Sequence, residues 1–268
     1  MKNLVATLAL VAPLAFAAEE PVRLDAAQID PRDVASLQSG ARTFINYCLN
    51  CHSAGLMRYS KLLDLGLTEQ QIKDNLLFTA DKVGELMNVS LTKKDSKEWF
   101  GATPPDLSVI ARARGADWLY TYLRSFYRDP ESPTGWNNMV YDRVGMPHVL
   151  WTLSGQQVQV EQEFKSEEQA EAVGRQQRGT WKVERVLSTE AGRTAERYVL
   201  KTIRTQTPGQ LSQIDYDILV RDLVNYMTWM SEPNQVVRKQ TGYAVLLMML
   251  VLLVVSYLLY KEFWKDVH

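Results

Sequence analysis

Apolar residues recur every three or four positions in several separate segments, which is the spacing of helices with one buried face. The pattern predicts helices over Val34–Ala54, Ala116–Tyr127 and Ser212–Ser231, with shorter helices after Thr68 and after Asp106. The second of these is dense in aromatic residues, which are usually core residues. The chain is therefore predicted to be mainly α.

The predicted helix ends carry recognisable capping residues. Ser36 is a start signal for the first helix, and Thr68 is followed three residues later by Gln71, a capping pattern. Two prolines precede Asp106, which can cap the short helix that follows it. Pro233 ends the last of these helices.

Residues 154–210 show a different pattern, in which polar and apolar residues alternate. Alternation predicts three short strands, Gln157–Glu161, Thr180–Leu187 and Arg197–Ile203. The charged run between the first two strands, Glu161–Arg178, is predicted to be a solvated helix or loop. We interpret residues 154–210 as a small, mostly surface insertion with β structure, and the sequence leaves its role open.

The first 17 residues have the pattern of a secretory signal peptide. Lys2 supplies a short positive start, Leu4–Phe16 is apolar, and Ala15-Phe16-Ala17 forms a cleavage site. The apolar stretch is too short to span a membrane. We therefore expect an exported domain over residues 18–237.

A longer apolar segment, Gly242–Tyr260, has 19 residues and no charge. As a helix it would measure roughly 28 Å, about the thickness of one hydrocarbon core. Its tyrosines and the nearby Trp264 suit a membrane interface. We expect one transmembrane anchor followed by a cytoplasmic tail, residues 261–268. Lysine and arginine are balanced on its two sides, so the signal peptide decides the orientation.

Overall charge is close to balanced, with 30 lysine and arginine residues against 31 aspartate and glutamate residues. No basic stripe is present, so a nucleic-acid partner is not expected. The chain has 2 cysteines, and both lie in one short motif. No disulfide is therefore expected to stabilise the exported domain.

That motif is Cys48-Leu49-Asn50-Cys51-His52, a C-x-x-C-H pattern typical of covalent c-type haem attachment. Cysteines three apart on a helical turn point the same way, so both can form thioethers with the haem, and the histidine can bind the iron. A zinc site needs about four ligands, and the chain offers few other partners. A redox dithiol does not need the histidine. One covalently bound haem c is predicted.

A haem in an electron carrier usually has a second axial ligand, either methionine or histidine. Met146 stands between a glycine and a proline, so the backbone can come close to the ring and the loop is stiff. Its separation along the chain from His52 allows it to approach from the opposite side. His148, Met87 and Met139 remain alternatives.

Four stretches resemble the cytochrome c1 family, the haem subunits of quinol–cytochrome c oxidoreductases. They are Phe44–Ser53, Gly101–Gly115, Gly145–Trp151, and Asp222–Met227 with Glu232-Pro233 and the C-terminal anchor. The resemblance covers most of the exported body. It implies a mainly α, class I cytochrome c-like haem domain with a small β-containing insertion and one C-terminal transmembrane helix. The region 154–210 is longer here than in many family members.

The resemblance also implies roles for individual residues. The family residue that matches Met146 is the sixth ligand of the iron. The family places an arginine against a haem propionate; Arg114 is the closer match and Arg112 the other candidate. Pro105, in the rigid turn, is also expected to contribute to cofactor binding.

The function that the resemblance implies is an electron relay. The chain would accept single electrons from a Rieske iron–sulfur protein and pass them to a soluble or tethered cytochrome c, in a complex that also contains cytochrome b. It would be a single-pass protein of the inner membrane, in contact with lipid, with its haem domain on the periplasmic side. The subunit alone would make and break no bond.

Two other functions remain open. The chain could be the anchored haem subunit of a terminal oxidase or of another respiratory complex, or a membrane-tethered thiol oxidoreductase.

The acidic residues within Glu161–Glu171 could steer a basic partner. The sequence leaves open the reduction potential, the acceptor, the quinone and the oligomeric state.

Overall fold

The structure, a computed structural model, describes residues 22–177, 179–190 and 193–266. The predicted signal peptide, residues 1–17, lies outside the described residues. The chain divides into two compact units, a smaller one with Glu161–Thr202 and a larger one with Leu24–Val160 and Ile203–His268. The chain passes from one unit to the other within two of its strands.

The core of the larger unit is built on α1 (Val34–Thr43) and α8 (Gln213–Ser231). Their backbones approach closely at Gly40, where an added Cβ would lie 2.0 Å from the carbonyl oxygen of Asp222. Ser212 caps α8 with its side chain, which confirms the predicted helix. The close contact between α1 and α8 at Gly40 fixes the position of the segment that follows α1.

The first helix is shorter than predicted, because a π-helical turn, Phe44–Cys48, follows α1 and the chain then leaves the helix. The start signal at Ser36 was also wrong. Asp33 is the N-cap and accepts the backbone N–H of Ser36. The Ser36 hydroxyl is buried and donates instead to the carboxylate of Asp222, 2.8 Å away.

The larger unit also contains several short helices besides α1 and α8. The capping pattern predicted at Thr68 is confirmed at the start of α2 (Glu69–Asn75), with the reciprocal bonds between Thr68 and Gln71 present. The remaining bounds are a 3₁₀ helix Tyr59–Leu65, α3 (Lys93–Phe100), α4 (Ile110–Arg114), α5 (Ala116–Arg124) and α6 (Trp151–Ser154).

Two further predicted helix ends differ from the structure. Asp106 does not cap the helix that follows it, because α4 begins only at Ile110 with Val109 as an uncapped N-cap. The helix α5 ends at Arg124, three residues earlier than predicted, because Phe126–Arg128 forms strand β3. The β-sheet pairing of this aromatic segment overrides its helical spacing.

Two small antiparallel pairs lie in the larger unit. Strand β1 (Ala54–Arg58) pairs with β2 (Leu86–Met87), directly after the C-x-x-C-H motif. Strand β3 pairs with β4 (Trp136–Asn138), with Phe126 opposite Asn138 and Arg128 opposite Trp136.

The insertion carries a three-stranded sheet in the order β5-β7-β6, from β5 (Gly155–Phe164), β6 (Trp181–Glu190) and β7 (Arg193–Pro208). All three strands are longer than predicted. The charged run forms α7 (Glu167–Gly174), whose Ala170 packs with Trp181 in a separate small core.

The C-terminal helix α9 spans Gln235–Phe263 and none of its described residues is buried. It begins seven residues before the predicted anchor, Gly242–Tyr260, and ends three residues after it. Within residues 22–177, 179–190 and 193–266 it is the one helix long and apolar enough to cross a membrane. These elements confirm the predicted fold class: mainly α, with a β insertion and one C-terminal apolar helix.

Candidate functional site

The C-x-x-C-H motif sits on the tight turn that ends the first helix. The backbone N–H groups of Cys51 and His52 both donate to the carbonyl oxygen of Cys48, at 3.1 and 2.9 Å. Cys48 is buried and Cys51 is half-buried, and the two do not form a disulfide. Burial, followed by the neighbouring Cys51, raises the pKa of the Cys48 thiol to about 12. Such a thiol is protonated at neutral pH and is a poor nucleophile in the folded chain.

The imidazole of His52 is oriented by the second proline of the rigid turn. Its Nδ1 lies 2.7 Å from the carbonyl oxygen of Pro105. A carbonyl can only accept, so Nδ1 carries the proton and Nε2 is left as the basic nitrogen. Burial lowers the pKa of His52 below its ordinary value, although the bond to Pro105 opposes this. The neutral imidazole is the form that binds a metal ion.

The turn around Pro105 is bonded to the chain that follows the motif. The carboxylate of Asp106 accepts the backbone N–H of Gly55 at 2.7 Å and that of Ser108 at 2.8 Å. The N–H of Leu107 donates to the carbonyl of Ser53 at 2.8 Å. Asp106 therefore clamps the turn beside His52, a role that sequence reasoning missed. The Asp-x-Ser spacing, typical of a side chain that accepts the N–H two residues on, could have indicated only its bond to Ser108.

Met146 lies on the loop after β4 and is half-buried. It packs against a small cluster of Phe126, Trp136 and Val144. Its sulfur accepts a hydrogen bond from the hydroxyl of Tyr122, with 3.4 Å between Oη and Sδ. Tyr122 packs against this cluster and against the main core, which contains Cys48.

The alternative ligands are engaged elsewhere. His148 is buried, with Nε2 2.8 Å from the hydroxyl of Ser154 and its ring stacked on Phe126 at 4.9 Å between centroids. Burial, helped by Arg128, lowers the pKa of His148 to about 3. Met87 is buried in the main core and Met139 is 2% exposed. Of the four candidates, Met146 is half-buried and the other three are buried.

An aromatic series leads from α4 towards Met146. The Arg114 guanidinium lies 5.1 Å from the ring centroid of Trp118, which stacks on Tyr122 at 4.8 Å and 11°. Tyr122 meets Phe126 edge to face at 5.0 Å. The four-residue spacing of Trp118 and Tyr122 puts them on one side of α5, and Phe126 follows in β3. Both candidate arginines, Arg112 and Arg114, are exposed.

The acidic residues within Glu161–Glu171 are largely paired inside the smaller unit. Glu161 lies 3.5 Å from Lys201, Glu163 lies 3.2 Å from Arg197, and Glu171 pairs with Arg175. Pairing reduces the charge that this run could present to a basic partner. Docking at this run stays a prediction.

The donor set fits a covalently held haem. Two thiols lie three residues apart, the adjacent imidazole has one free nitrogen, and a thioether stands on a separate loop. Within the described ranges, no group of three or more His, Cys, Asp or Glu side chains could hold a metal ion by itself.

Comparison with known proteins places the chain. Residues 27–174 and 207–267 match the Cytochrome C1 family. The chain belongs to the cytochrome c1 family. Cytochrome c1 of Allochromatium vinosum is 41% identical over 269 residues, with 100% of this chain and 99% of that protein covered. Cytochrome c1 of Rhodospirillum rubrum is 26% identical over 263 residues, covering 88% and 83% of the two chains.

A further similar protein has a different name. The ammonia monooxygenase gamma subunit of Nitrosomonas europaea is 42% identical over 260 residues, covering 97% of this chain and 95% of that protein. Membership in the cytochrome c1 family implies a haem c cofactor and supports an electron-transfer subunit of the cytochrome bc complex. The family match leaves out residues 175–206, which include β6 and most of β7.

Proposed function

We propose that the chain is a membrane-anchored cytochrome with one covalently bound haem c, which relays single electrons from a Rieske iron–sulfur protein to a cytochrome c within quinol–cytochrome c reductase. The observation that carries the proposal is the hydrogen bond from His52, the last residue of the C-x-x-C-H motif, to the carbonyl oxygen of Pro105. It selects the tautomer that leaves Nε2 for an iron ligand, as is usual for metal-binding histidines. Membership in the cytochrome c1 family supports the same function.

The chain's own residues would hold the cofactor in three ways. Cys48 and Cys51 would form the thioethers, and His52 and Met146 would be the axial ligands. Arg114, or Arg112, would pair with a propionate. When bound, the haem supplies a one-electron carrier, so no bond of a substrate is made or broken in this subunit.

Two features would adapt this chain to electron transfer. The buried surroundings of Cys48 and His52 exclude water and oppose uncompensated charge, which keeps the imidazole neutral. The helix α9 would anchor the haem domain in the inner membrane. With residues 1–17 as an export signal, the haem domain would lie on the periplasmic side and the end of the chain in the cytoplasm.

The partners follow from the relay. Cytochrome b and the Rieske protein would share the complex, and a soluble or tethered cytochrome c would be the acceptor. The relative named as an ammonia monooxygenase subunit favours a second candidate, the gamma subunit of such an enzyme. A thiol oxidoreductase is disfavoured, because its cysteine needs a lowered pKa and burial raises that of Cys48.

The test is purification of the full chain in detergent from its native membrane. Acid–acetone extraction should leave the pigment on the polypeptide, and the pyridine haemochrome should be of c type. Cytochrome b and a Rieske protein should co-purify. Copper or haem–copper subunits would instead indicate a terminal oxidase, and other ammonia monooxygenase subunits the second candidate. A colourless protein with alkylatable cysteines would overturn the haem assignment.

A further inference from the structure

The side chain of Tyr122 is held in place on two sides before it reaches Met146. Its ring stacks on Trp118 at 4.8 Å and meets Phe126 at 5.0 Å. Both neighbours are large, and one of them, Phe126, is fully buried. The ring therefore has little freedom, and its hydroxyl is directed at one point of the Met146 loop.

The hydroxyl donates to the Met146 sulfur at 3.4 Å. A thioether sulfur has two lone pairs. A hydrogen bond to one of them leaves the other for a metal ion and withdraws electron density from the sulfur.

We propose that Tyr122 is a positioning residue for Met146, whose hydroxyl directs the thioether towards the haem iron and lowers its electron donation. This inference rests on the proposed function, because it requires Met146 to be the sixth ligand. A weaker donor stabilises the oxidised iron less, so the hydroxyl raises the tendency of the haem to stay reduced.

The experiment compares Tyr122→Phe with Tyr120→Phe in the full, haem-loaded chain in detergent. Tyr122→Phe keeps the ring stack and removes the donor. Tyr120→Phe removes a hydroxyl from a half-buried tyrosine of the same helix whose ring faces Arg124. The readouts are the ratio of reduced to oxidised haem against a reference couple and the sulfur-to-iron absorption band of the oxidised protein.

For Tyr122→Phe we expect the ratio to fall three- to tenfold, which is about 30–59 mV for a one-electron couple. The sulfur-to-iron band should shift, and Tyr120→Phe should change neither readout. A ratio and a band in Tyr122→Phe equal to those of the unsubstituted protein would overturn the role of Tyr122. Absence of the band in the unsubstituted protein would instead overturn ligation by Met146, so the two failures are distinguishable.

Discussion

His52 donates its Nδ1–H to the carbonyl oxygen of Pro105 at 2.7 Å, across 53 residues of the chain. The acceptor is a backbone oxygen, which is present whatever side chain residue 105 carries. The orientation of the imidazole therefore depends on where the turn is held. The turn is held by Asp106, which bonds both to Gly55 and to Ser108. The orientation of His52 is thus determined by a carboxylate outside the C-x-x-C-H motif.

The first prediction tests this clamp with Asp106→Ala. The change removes the hydrogen bonds to Asp106 from the N–H groups of Gly55 and Ser108, and a typical hydrogen bond contributes about 0.5–1.5 kcal/mol net. We expect the free energy of unfolding of the full chain in detergent to fall by about 2 kcal/mol. Guanidinium titration measures it. Asp106→Asn keeps an acceptor oxygen and should lose less; equal midpoints for both variants and the unsubstituted protein would contradict the clamp.

The second prediction concerns the sixth ligand. Met146→Leu keeps an apolar side chain of similar size and removes the sulfur. Since the thioether stabilises reduced iron, the ratio of reduced to oxidised haem should fall more than tenfold, or by more than about 59 mV. The sulfur-to-iron band should disappear. Met139→Leu, at a buried position with 2% exposure, is the matched control and should keep both signals. A normal band in Met146→Leu would instead point to another methionine, Met87 or Met139, as the sixth ligand.

The third prediction concerns the contact between α1 and α8. Alanine is a better helix former than glycine by up to about 1 kcal/mol, which would favour Gly40→Ala. An added Cβ, however, would lie 2.0 Å from the Asp222 carbonyl oxygen. Because that atom belongs to the backbone, relief requires the two helices to separate, and we expect a net loss of about 3 kcal/mol.

The control for this variant is Gly84→Ala, where an added Cβ meets nothing within 4 Å. It should change the free energy of unfolding by no more than about 0.5 kcal/mol. Both variants are measured by denaturant titration of the haem-loaded chain. A Gly40→Ala protein as stable as the Gly84→Ala protein would show that the helices do not pack as described.

The sequence allowed the long helices and the cofactor motif to be predicted, because their signals are local. Helical spacing and Ser212 define α8, and the capping pair at Thr68 defines α2. The predicted start of α1 was wrong because the sequence offers two capping residues, Asp33 and Ser36, three positions apart. Only the partner of Ser36, Asp222 on a distant helix, decides between them.

The parts of the site that could not be predicted depend on contacts between distant segments. Asp106 has the sequence context of a helix cap, but bonds to Gly55, which lies 51 residues earlier. Phe126 continues the helical spacing of α5, yet pairs as a strand with Asn138. The bond between Tyr122 and Met146 likewise joins a helix to a loop. No local pattern encodes these pairings.

The last prediction concerns the pH dependence of the smaller unit. Glu184 on β6 lies 2.7 Å from Lys201 and also pairs with Lys182. Burial tends to raise the pKa of Glu184, but the hydrogen bonds from both lysines outweigh it and lower the pKa below 4.5. The folded state thus favours the carboxylate. Its stabilisation is complete above pH 4.5 and is lost as pH falls through the lowered pKa.

Glu184→Gln tests this dependence, with Glu98→Gln on the exposed side of α3 as the control. The measurement is the opening free energy of the β6 amides by hydrogen exchange at pH 7 and at pH 3.5, corrected for the intrinsic exchange rate. The unsubstituted protein and the control should lose protection between these values, because the unfolded carboxylate takes up its proton first. In Glu184→Gln the opening free energy should be lower at pH 7 and should fall less between pH 7 and pH 3.5. Parallel declines in all three proteins would contradict the pairing of Glu184 with its lysines.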